Sequence, residues 1–354
     1  MPAGFYRLKV DKIIRETPEA VQIRFLVPPP LKNLFTYRAG QYLTLHATIN
    51  GEEIRRSYSV CESPYVDDMP TVAVKEVENG RMSTFLNRQL QEGDLIEAMP
   101  PMGNFTVDLN DQAQRHFILF GGGSGITPLK SILMSVLLKE PNSKITLIYA
   151  NRDEASIIFR EALDTLEQTY ASRFKIIHVL DEAGPEWTGL KGMLNEMKVN
   201  QLVKMNETRI AEAEYYICGP GGLMQLVKSS LENMGIPGSH IHLEYFAAVK
   251  SDEAKSTVVE DDGSEKIVTI DLFGDEMDVT VKPNQTILEA AQEAGMDPPF
   301  SCTVGVCTTC RAKVHEGTVR MDEREGLSDA EIDEGYVLTC QSHPTSSRVK
   351  LTYE

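Results

Sequence analysis

Four of the six cysteines in this 354-residue sequence fall in its last 53 residues: Cys302, Cys307, Cys310 and Cys340. The spacing Cys-x4-Cys-x2-Cys, with a fourth cysteine after 29 intervening residues, is that of a plant-type [2Fe–2S] site, where four thiolates hold two irons and offset their charge. The stretch Ser301 to Cys310 consists almost wholly of small residues. Such a loop can wrap closely and aim backbone N–H groups at sulfur. Two other readings exist. A structural zinc site usually shows two ligand pairs, and Cys340 is single unless His343 joins it. A dithiol at Cys307 and Cys310 leaves Cys302 and Cys340 without a purpose.

Further groups with possible chemistry lie upstream. In Arg55-Arg56-Ser57-Tyr58-Ser59-Val60 a guanidinium suits a pyrophosphate. A Tyr58 ring can stack on an isoalloxazine, and a neighbouring hydroxyl can bond the edge of a flavin. Ordinary strand decoration would look the same. Gly80, Ser83 and Thr84 stand at a helix start, where amide groups and the helix dipole favour phosphate, though a plain serine cap has the same pattern. Phe117 to Pro128 reads strand, glycine loop (Gly121, Gly123, Gly125) and helix (Thr127, Pro128). That is a nucleotide-phosphate arrangement, with Ile126 where the usual fingerprint has its third glycine; a ligand-free glycine turn is the alternative. Cys218-Gly219-Pro220 repeats the pattern at another strand end, where Cys218 is either a small buried thiol or a nicotinamide contact. After the second strand, Arg152 suits a ribose 2′-phosphate and points to NADPH. Asp153 beside it argues for the 2′-hydroxyl of NADH.

Three kinds of elements must position these groups. Residues 1–108 carry short apolar runs broken by Pro and Gly (Val21–Val27, Tyr42–His46, Thr71–Val77, Leu95–Met99) with one helix over Ser83–Leu90, a pattern that predicts an antiparallel barrel or sandwich. Residues 112–246 alternate strands (117–120, 145–149, 174–179, 215–218, 240–244) with helices (to 139, 156–170, 191–197, 222–234), which predicts a doubly wound parallel sheet. Residues 247–266 have linker composition. Beyond them a hairpin is expected, Ile267–Leu272 and Met277–Val281 around a turn at Phe273–Glu276, followed by a helix over Thr286–Ala294.

Composition limits the partners. With 52 acidic and 35 basic residues the net charge is -17, which disfavours nucleic acid and anionic membranes, since both need a dense basic face. No apolar run approaches the roughly 18–20 residues that span a bilayer. The first residues lack the pattern of a signal peptide. A cytoplasmic protein without membrane insertion is expected. The excess of acid is uneven: residues 267–354 hold 16 acids and 7 bases.

Taken in order, these segments resemble the ferredoxin–NADP reductase superfamily. From 267 onward the chain is similar to a plant-type ferredoxin, through Pro298-Pro299-Phe300-Ser301-Cys302 and Leu338-Thr339-Cys340-Gln341. The resemblance implies an antiparallel flavin-binding β-barrel (1–108), a doubly wound α/β nucleotide domain (112–246), a linker (247–266) and a β-grasp ferredoxin domain (267–354). It implies that Arg56, Tyr58 and Ser59 meet flavin phosphate, ring and N5 edge. Gly80, Ser83 and Thr84 would form the second flavin-phosphate segment, and Gly121, Gly123, Gly125, Thr127 and Pro128 the nucleotide loop. Cys218, Gly219 and Pro220 would lie near the nicotinamide, with Glu244 and Phe246 as closing acid and aromatic. FAD, rather than the FMN of one branch, follows from the resemblance alone. The domain order is similar to reductase components of oxygenases. It implies hydride transfer from NAD(P)H to the flavin, then single electrons through the cluster to an oxygenase or hydroxylase. A flavin and iron–sulfur redox sensor, or a reductase for a desaturase or demethylase, are the alternatives.

Overall fold

In the computed structural model, which describes residues 4–67, 69–207, 209–246 and 263–353, the first sheet grows from period-2 alternation. Its strands are β1 (Tyr6–Thr17), β2 (Ala20–Leu26), β3 (Tyr42–Ile49), β4 (Glu52–Ser59), β5 (Thr71–Lys75) and β6 (Leu95–Ala98). Leu8 and Val10, Val21 and Ile23, and Val72 and Val74 all point into the barrel, while the residues between them lie on the opposite face of the sheet, where Ala73 is buried against the parallel-sheet core. The sheet order is β4-β3-β6-β1-β2-β5. A bridge between Val60, just past β4, and Val72 in β5 joins the two edges, so the sheet curls into a barrel. Helix α1 (Arg81–Arg88) plugs it with Met82 and Leu86, one helical turn apart.

The second sheet contains β7 (His116–Gly122), β8 (Lys144–Asn151), β9 (Phe174–Leu180), β10 (Leu190–Lys191), β11 (Glu214–Cys218) and β12 (Ile241–Glu244), in the order β10-β9-β8-β7-β11-β12. Every pairing is parallel. Helices α2 (Ile126–Lys139), α3 (Arg160–Thr169), α4 (Glu196–Asn206) and α5 (Gly221–Asn233) make the crossovers. β7 and β8 are buried almost end to end, as strands covered on both faces must be. The order reverses between β7 and β11, and at such a switch point the strand ends leave a crevice for ligands.

Barrel and parallel sheet belong to one compact unit, residues 6–54 and 58–244. Within it the α2 side chain Lys130, 3% exposed, is ion-paired to Glu62. Ser131 Oγ donates to the Glu62 carbonyl at 2.6 Å, and Ser63 and Ser135 share a hydrogen bond of 2.8 Å. A buried charge needs such partners to be tolerated.

The other unit holds, of the described residues, 4–5, 55–57, 245–246 and those from 263 onward. Here β13 (Lys266–Leu272), β14 (Asp275–Val281), α6 (Ile287–Glu293), β15 (Arg311–Glu316), β16 (Val319–Met321), α7 (Asp329–Asp333), β17 (Tyr336–Leu338), β18 (Ser342–Pro344) and β19 (Arg348–Tyr353) follow in turn. Five strands form a mixed sheet, β14-β13-β19-β15-β17, and β16 pairs with β18. α6 lays Ile287, Ala290 and Ala291 on Val268, Ile270 and Leu351, which is the β-grasp arrangement.

Several boundaries differ from expectation, each for a local reason. The helix expected over 191–197 is absent: α4 begins only at Glu196, capped by Asn195. The preceding residues instead wrap their carbonyls (Lys191, Gly192, Met193) around the Lys198 ammonium at 2.8–2.9 Å. The helix expected from Ser156 starts at Arg160. Asp153 caps a separate turn over Glu154–Ser156, and Phe159 (φ +63) donates its N–H to Glu16 of the barrel at 3.0 Å. The hairpin turn is tighter than expected. Phe273 and Gly274 both take positive φ, the geometry of a two-residue turn, so β14 starts at Asp275. The expected linker lies, for residues 247–262, outside the described residues, and Lys266 is already in β13.

Candidate functional site

Register puts three of the predicted residues side by side. Across the carboxyl ends of the parallel strands, Cys218 is paired with Gly121 on one side and with Glu244 on the other. The glycines make this possible. A Cβ on Gly125 would stand 2.1 Å from the Cys218 carbonyl oxygen, and one on Gly122 would stand 2.6 Å from Pro220 Cδ. The two glycine motifs therefore form a single surface at the switch point. Gly123 supplies the positive φ of the turn, and the Tyr149 hydroxyl donates to its carbonyl at 2.9 Å. Thr127 Oγ1 donates back to the Ser124 carbonyl at 3.0 Å, while Pro128 lies buried in the first turn of α2, where its missing N–H costs nothing.

Electrostatics at this edge favour neutral groups. Burial, with the nearby Glu244 carboxyl adding to it, pushes the Cys218 thiol well above its ordinary value. Burial likewise raises Glu244 to about 8. Part of the Glu244 side chain still meets solvent, which moderates the rise without changing its direction. Near neutral pH both groups keep their protons.

The barrel residues are placed differently. Ser59, at the end of β4, is 3% exposed, and its hydroxyl has no hydrogen-bond partner. Leaving a buried hydroxyl unpaired costs about 1–3 kcal/mol, a deficit that a polar edge of a bound flavin would remove. Tyr58 is half-buried and Arg56 exposed, with Arg56 Nη1 donating to the Arg55 carbonyl at 2.7 Å. Ser83 Oγ accepts from the Val77 amide at 3.1 Å and donates to the Gly80 carbonyl at 3.0 Å. Thr84 Oγ1 donates to Glu76 at 3.3 Å. These hydroxyls knit the turn before α1. Arg152 stands just beyond β8, half-exposed, with contacts to Asp153 at 3.0 Å and Glu19 at 3.8 Å. Phe246 is 43% exposed.

The cysteine quartet is gathered by its loop. Thr303 and Gly305 take positive φ. A Cβ on Gly305 would stand 2.7 Å from Glu323 Cβ, and the Gly326 amide donates to the Gly305 carbonyl at 2.9 Å. Interaction with the neighbouring Cys307 and Cys340 thiols, helped by the Val304 and Val306 backbone, pulls Cys302 well below the ordinary thiol range, and the same interactions push Cys307 and Cys340 above it. Four thiols in mutual reach cannot all ionise without cations between them, so the donor set fits iron. Among the described residues no group of three or more His, Cys, Asp or Glu side chains is placed to hold a single metal ion, whereas a [2Fe–2S] cluster asks only two cysteines of each iron. His343 stays outside the quartet, its ring nitrogens bonded to the Gln285 carbonyl at 3.0 Å and to Asp322 at 2.9 Å.

Two contributions were not visible in the sequence. Thr339 and Tyr353 form hydrogen bonds that lead to the Cys310 carbonyl; the pairing of β17 with β15 brings Thr339 there and that of β19 with β15 brings Tyr353. No helix among the described residues is long and apolar enough to cross a membrane.

Comparison with known proteins agrees with this layout. Residues 7–107 match an oxidoreductase FAD-binding domain, 119–229 an oxidoreductase NAD-binding domain, and 270–345 a 2Fe-2S iron-sulfur cluster binding domain. The chain is 36% identical to a 1,2-phenylacetyl-CoA epoxidase subunit from Escherichia coli (strain K12), covering 99% of this chain and 98% of that protein. It is 34% identical to the ferredoxin reductase component of the Rhodococcus rhodochrous 3-ketosteroid-9-alpha-monooxygenase, covering 98% and 96%. Among solved structures, phthalate dioxygenase reductase is similar, with a TM-score of 0.61 and 25% identity over 99% of this chain and 98% of that one. FAD, a nicotinamide nucleotide and a [2Fe–2S] cluster are therefore the redox groups of this NAD(P)H-dependent oxidoreductase. The chain belongs to the ferredoxin–NADP reductase superfamily, in the branch of reductase components that carry a plant-type ferredoxin domain after the flavin and nucleotide domains.

Proposed function

We propose that this chain is the reductase component of an oxygenase system, drawing electrons from NADPH and delivering them to an oxygenase or hydroxylase component. One observation carries the reading: the phenylacetyl-CoA epoxidase relative aligns with this chain from end to end, so all three redox domains are shared in one order. A phenylacetyl-CoA epoxidase-like client is the first to test. The domain limits we assign are 1–108, 112–246 and 267–354 with a linker between the last two, supported by the family matches and the β13 start. A cytoplasmic setting goes with this reading, because a cytosol keeps the thiol set reduced for metal.

The cofactors supply the hard chemistry when bound: hydride acceptance at the flavin, and one-electron passage at the cluster. The protein binds and orients. Arg56 and the Gly80–Ser83–Thr84 turn would hold flavin phosphate, Tyr58 would meet the ring, and Ser59 would give its free hydroxyl to the ring edge. Gly121, Gly123, Gly125, Thr127 and Pro128 present α2 amides to the nucleotide phosphates. Gly219 and Pro220 would leave room for a nicotinamide near Cys218, with Phe246 as the closing aromatic that the family resemblance implies. Cys302, Cys307, Cys310 and Cys340 hold the cluster.

Glu244 holds a proton at this edge, and the sign of its pH dependence follows. Its folded value, about 8, lies above the ordinary carboxyl value, so the neutral form dominates below pH 8 and is lost above it. Flavin reduction by NADPH in a single turnover is expected to slow as pH rises through about 8. Glu244→Gln, which cannot lose a proton there, is expected to flatten that profile. A parent profile already flat between pH 7 and 9 would remove Glu244 from the role. The same shift makes the carboxyl's contribution to stability fall between about pH 4.5 and 8, since the unfolded chain gives up that proton first.

Arg152 decides the nucleotide. A 2′-phosphate would compete with Asp153 and Glu19 for its guanidinium. Loss of one charge-assisted bond of this kind is worth about tenfold, so Arg152→Ala is expected to raise KM for NADPH about tenfold while leaving KM for NADH within about twofold. Equal changes for both nucleotides would exclude Arg152 from selection.

A further inference from the structure

Between the last strand of the fold and the cysteine quartet runs a closed hydrogen-bond chain. Tyr353 in β19 is 1% exposed, and Thr339, directly before Cys340, is fully buried. The Tyr353 hydroxyl donates to Thr339 Oγ1 at 2.8 Å. Thr339 Oγ1 donates to the Cys310 carbonyl at 3.0 Å, and the Thr339 amide donates to the same carbonyl at 3.2 Å. A carbonyl only accepts, so the single hydroxyl hydrogen of Thr339 is committed to Cys310, and Tyr353 can only fill the Thr339 lone pair. The direction of the chain is thereby set, with all its hydrogens turned toward Cys310. Burial raises the Tyr353 hydroxyl above its ordinary value, which keeps it a donor.

The placement is specific. Tyr353 pairs across the sheet with Ala312, two residues after Cys310, and the chain ties the residue before Cys340 to Cys310 although 29 residues separate the two cysteines. Packing alone would be served by Phe at 353 and Val at 339.

We infer that Tyr353, acting through Thr339, is a positioning residue for the [2Fe–2S] cluster: the chain clamps Cys310 to Cys340, slows loss of iron and raises the reduction potential. The physical reason is that the positive ends of O–H and N–H dipoles face the ligand backbone, where they favour the added electron. The inference rests on the assignment of the cluster to Cys302, Cys307, Cys310 and Cys340.

The test uses the full chain with its cofactors and three variants: Tyr353→Phe, Thr339→Val and Thr339→Ser. Midpoint potential, the low-temperature EPR signal of the reduced cluster, and the rate of iron transfer to a chelator are measured, with thermal melting alongside. Tyr353→Phe and Thr339→Val are expected to shift the potential to more negative values and alter the EPR g-values. Each should release iron about fivefold faster, the factor for one buried hydrogen bond. Thr339→Ser, which keeps the hydroxyl, is expected to match the parent. Parent potential and g-values in both Tyr353→Phe and Thr339→Val would overturn the inference, whatever happens to melting, because the chain would then be only structural. Should Tyr353→Phe fail to load, the contrast between Val and Ser at 339 decides. A parent chain without two irons would instead overturn the cluster assignment itself.

Discussion

Cys310→Ser is expected to leave reduction of the flavin by NAD(P)H near the parent rate, while reduction of a one-electron protein acceptor falls more than about 100-fold. Loss of groups that merely support a metal ligand already costs about 10–100-fold, so loss of a ligand costs more. Cys310 is 1% exposed, leaving little room for another ligand to swing in. It belongs to the C-terminal unit, whereas Ser59, Cys218 and Glu244 belong to the other. The two half-reactions should therefore separate. Stopped-flow absorbance at the flavin band, followed by steady-state cytochrome c reduction with the same preparation, reads both. Undiminished cytochrome c reduction would show that electrons leave from the flavin directly.

Gly125→Ala is expected to lower the rate of flavin reduction by NAD(P)H about 100-fold while dithionite still reduces flavin and cluster in full. The new methyl carbon would lie 2.1 Å from the Cys218 carbonyl oxygen and 2.4 Å from its carbon. Both are backbone atoms of β11, so no side-chain rotation relieves the clash. Overpacking of this kind costs about 1–3 kcal/mol, and either the glycine loop or the end of β11 must move. A displacement of about 1 Å at a reacting edge suffices for a 100-fold loss. Gly222→Ala is the control, since a Cβ there meets nothing within 4 Å and the site lies in α5, where alanine is favoured. Parent rates in Gly125→Ala would mean that the two glycine motifs do not act as one surface.

Legibility of the fold followed the regularity of local signals. The parallel sheet was readable because β7 and β8 are short, apolar and each followed by a helix. β1, the longest strand, left no comparable trace: its register with β2 slips between Val10 and Lys12 and again between Arg15 and Thr17, and each bulge resets the alternation. The helix boundaries at 156 and 191 differ from local expectation because distant or polar contacts, Glu16 on the Phe159 amide and carbonyls on the Lys198 ammonium, override helix propensity. The short strands β15 to β19 were also unreadable, being set by pairing rather than by composition.

Within the site, spacing picked out the four cysteines and the glycine loops, because each is a local chemical requirement written in consecutive residues, and the family resemblance gave the order of the three domains. Only the tertiary structure decided that Cys218 lies between Gly121 and Glu244, and that Gly125 has no room for a methyl. The same holds for the free Ser59 hydroxyl, for Lys130 meeting Glu62, and for Tyr353 closing on Cys310 through Thr339. These facts depend on which strands become neighbours and in what register. That is settled by burial and hydrogen bonding over the whole domain, where a shift of one residue would send each side chain to the opposite face.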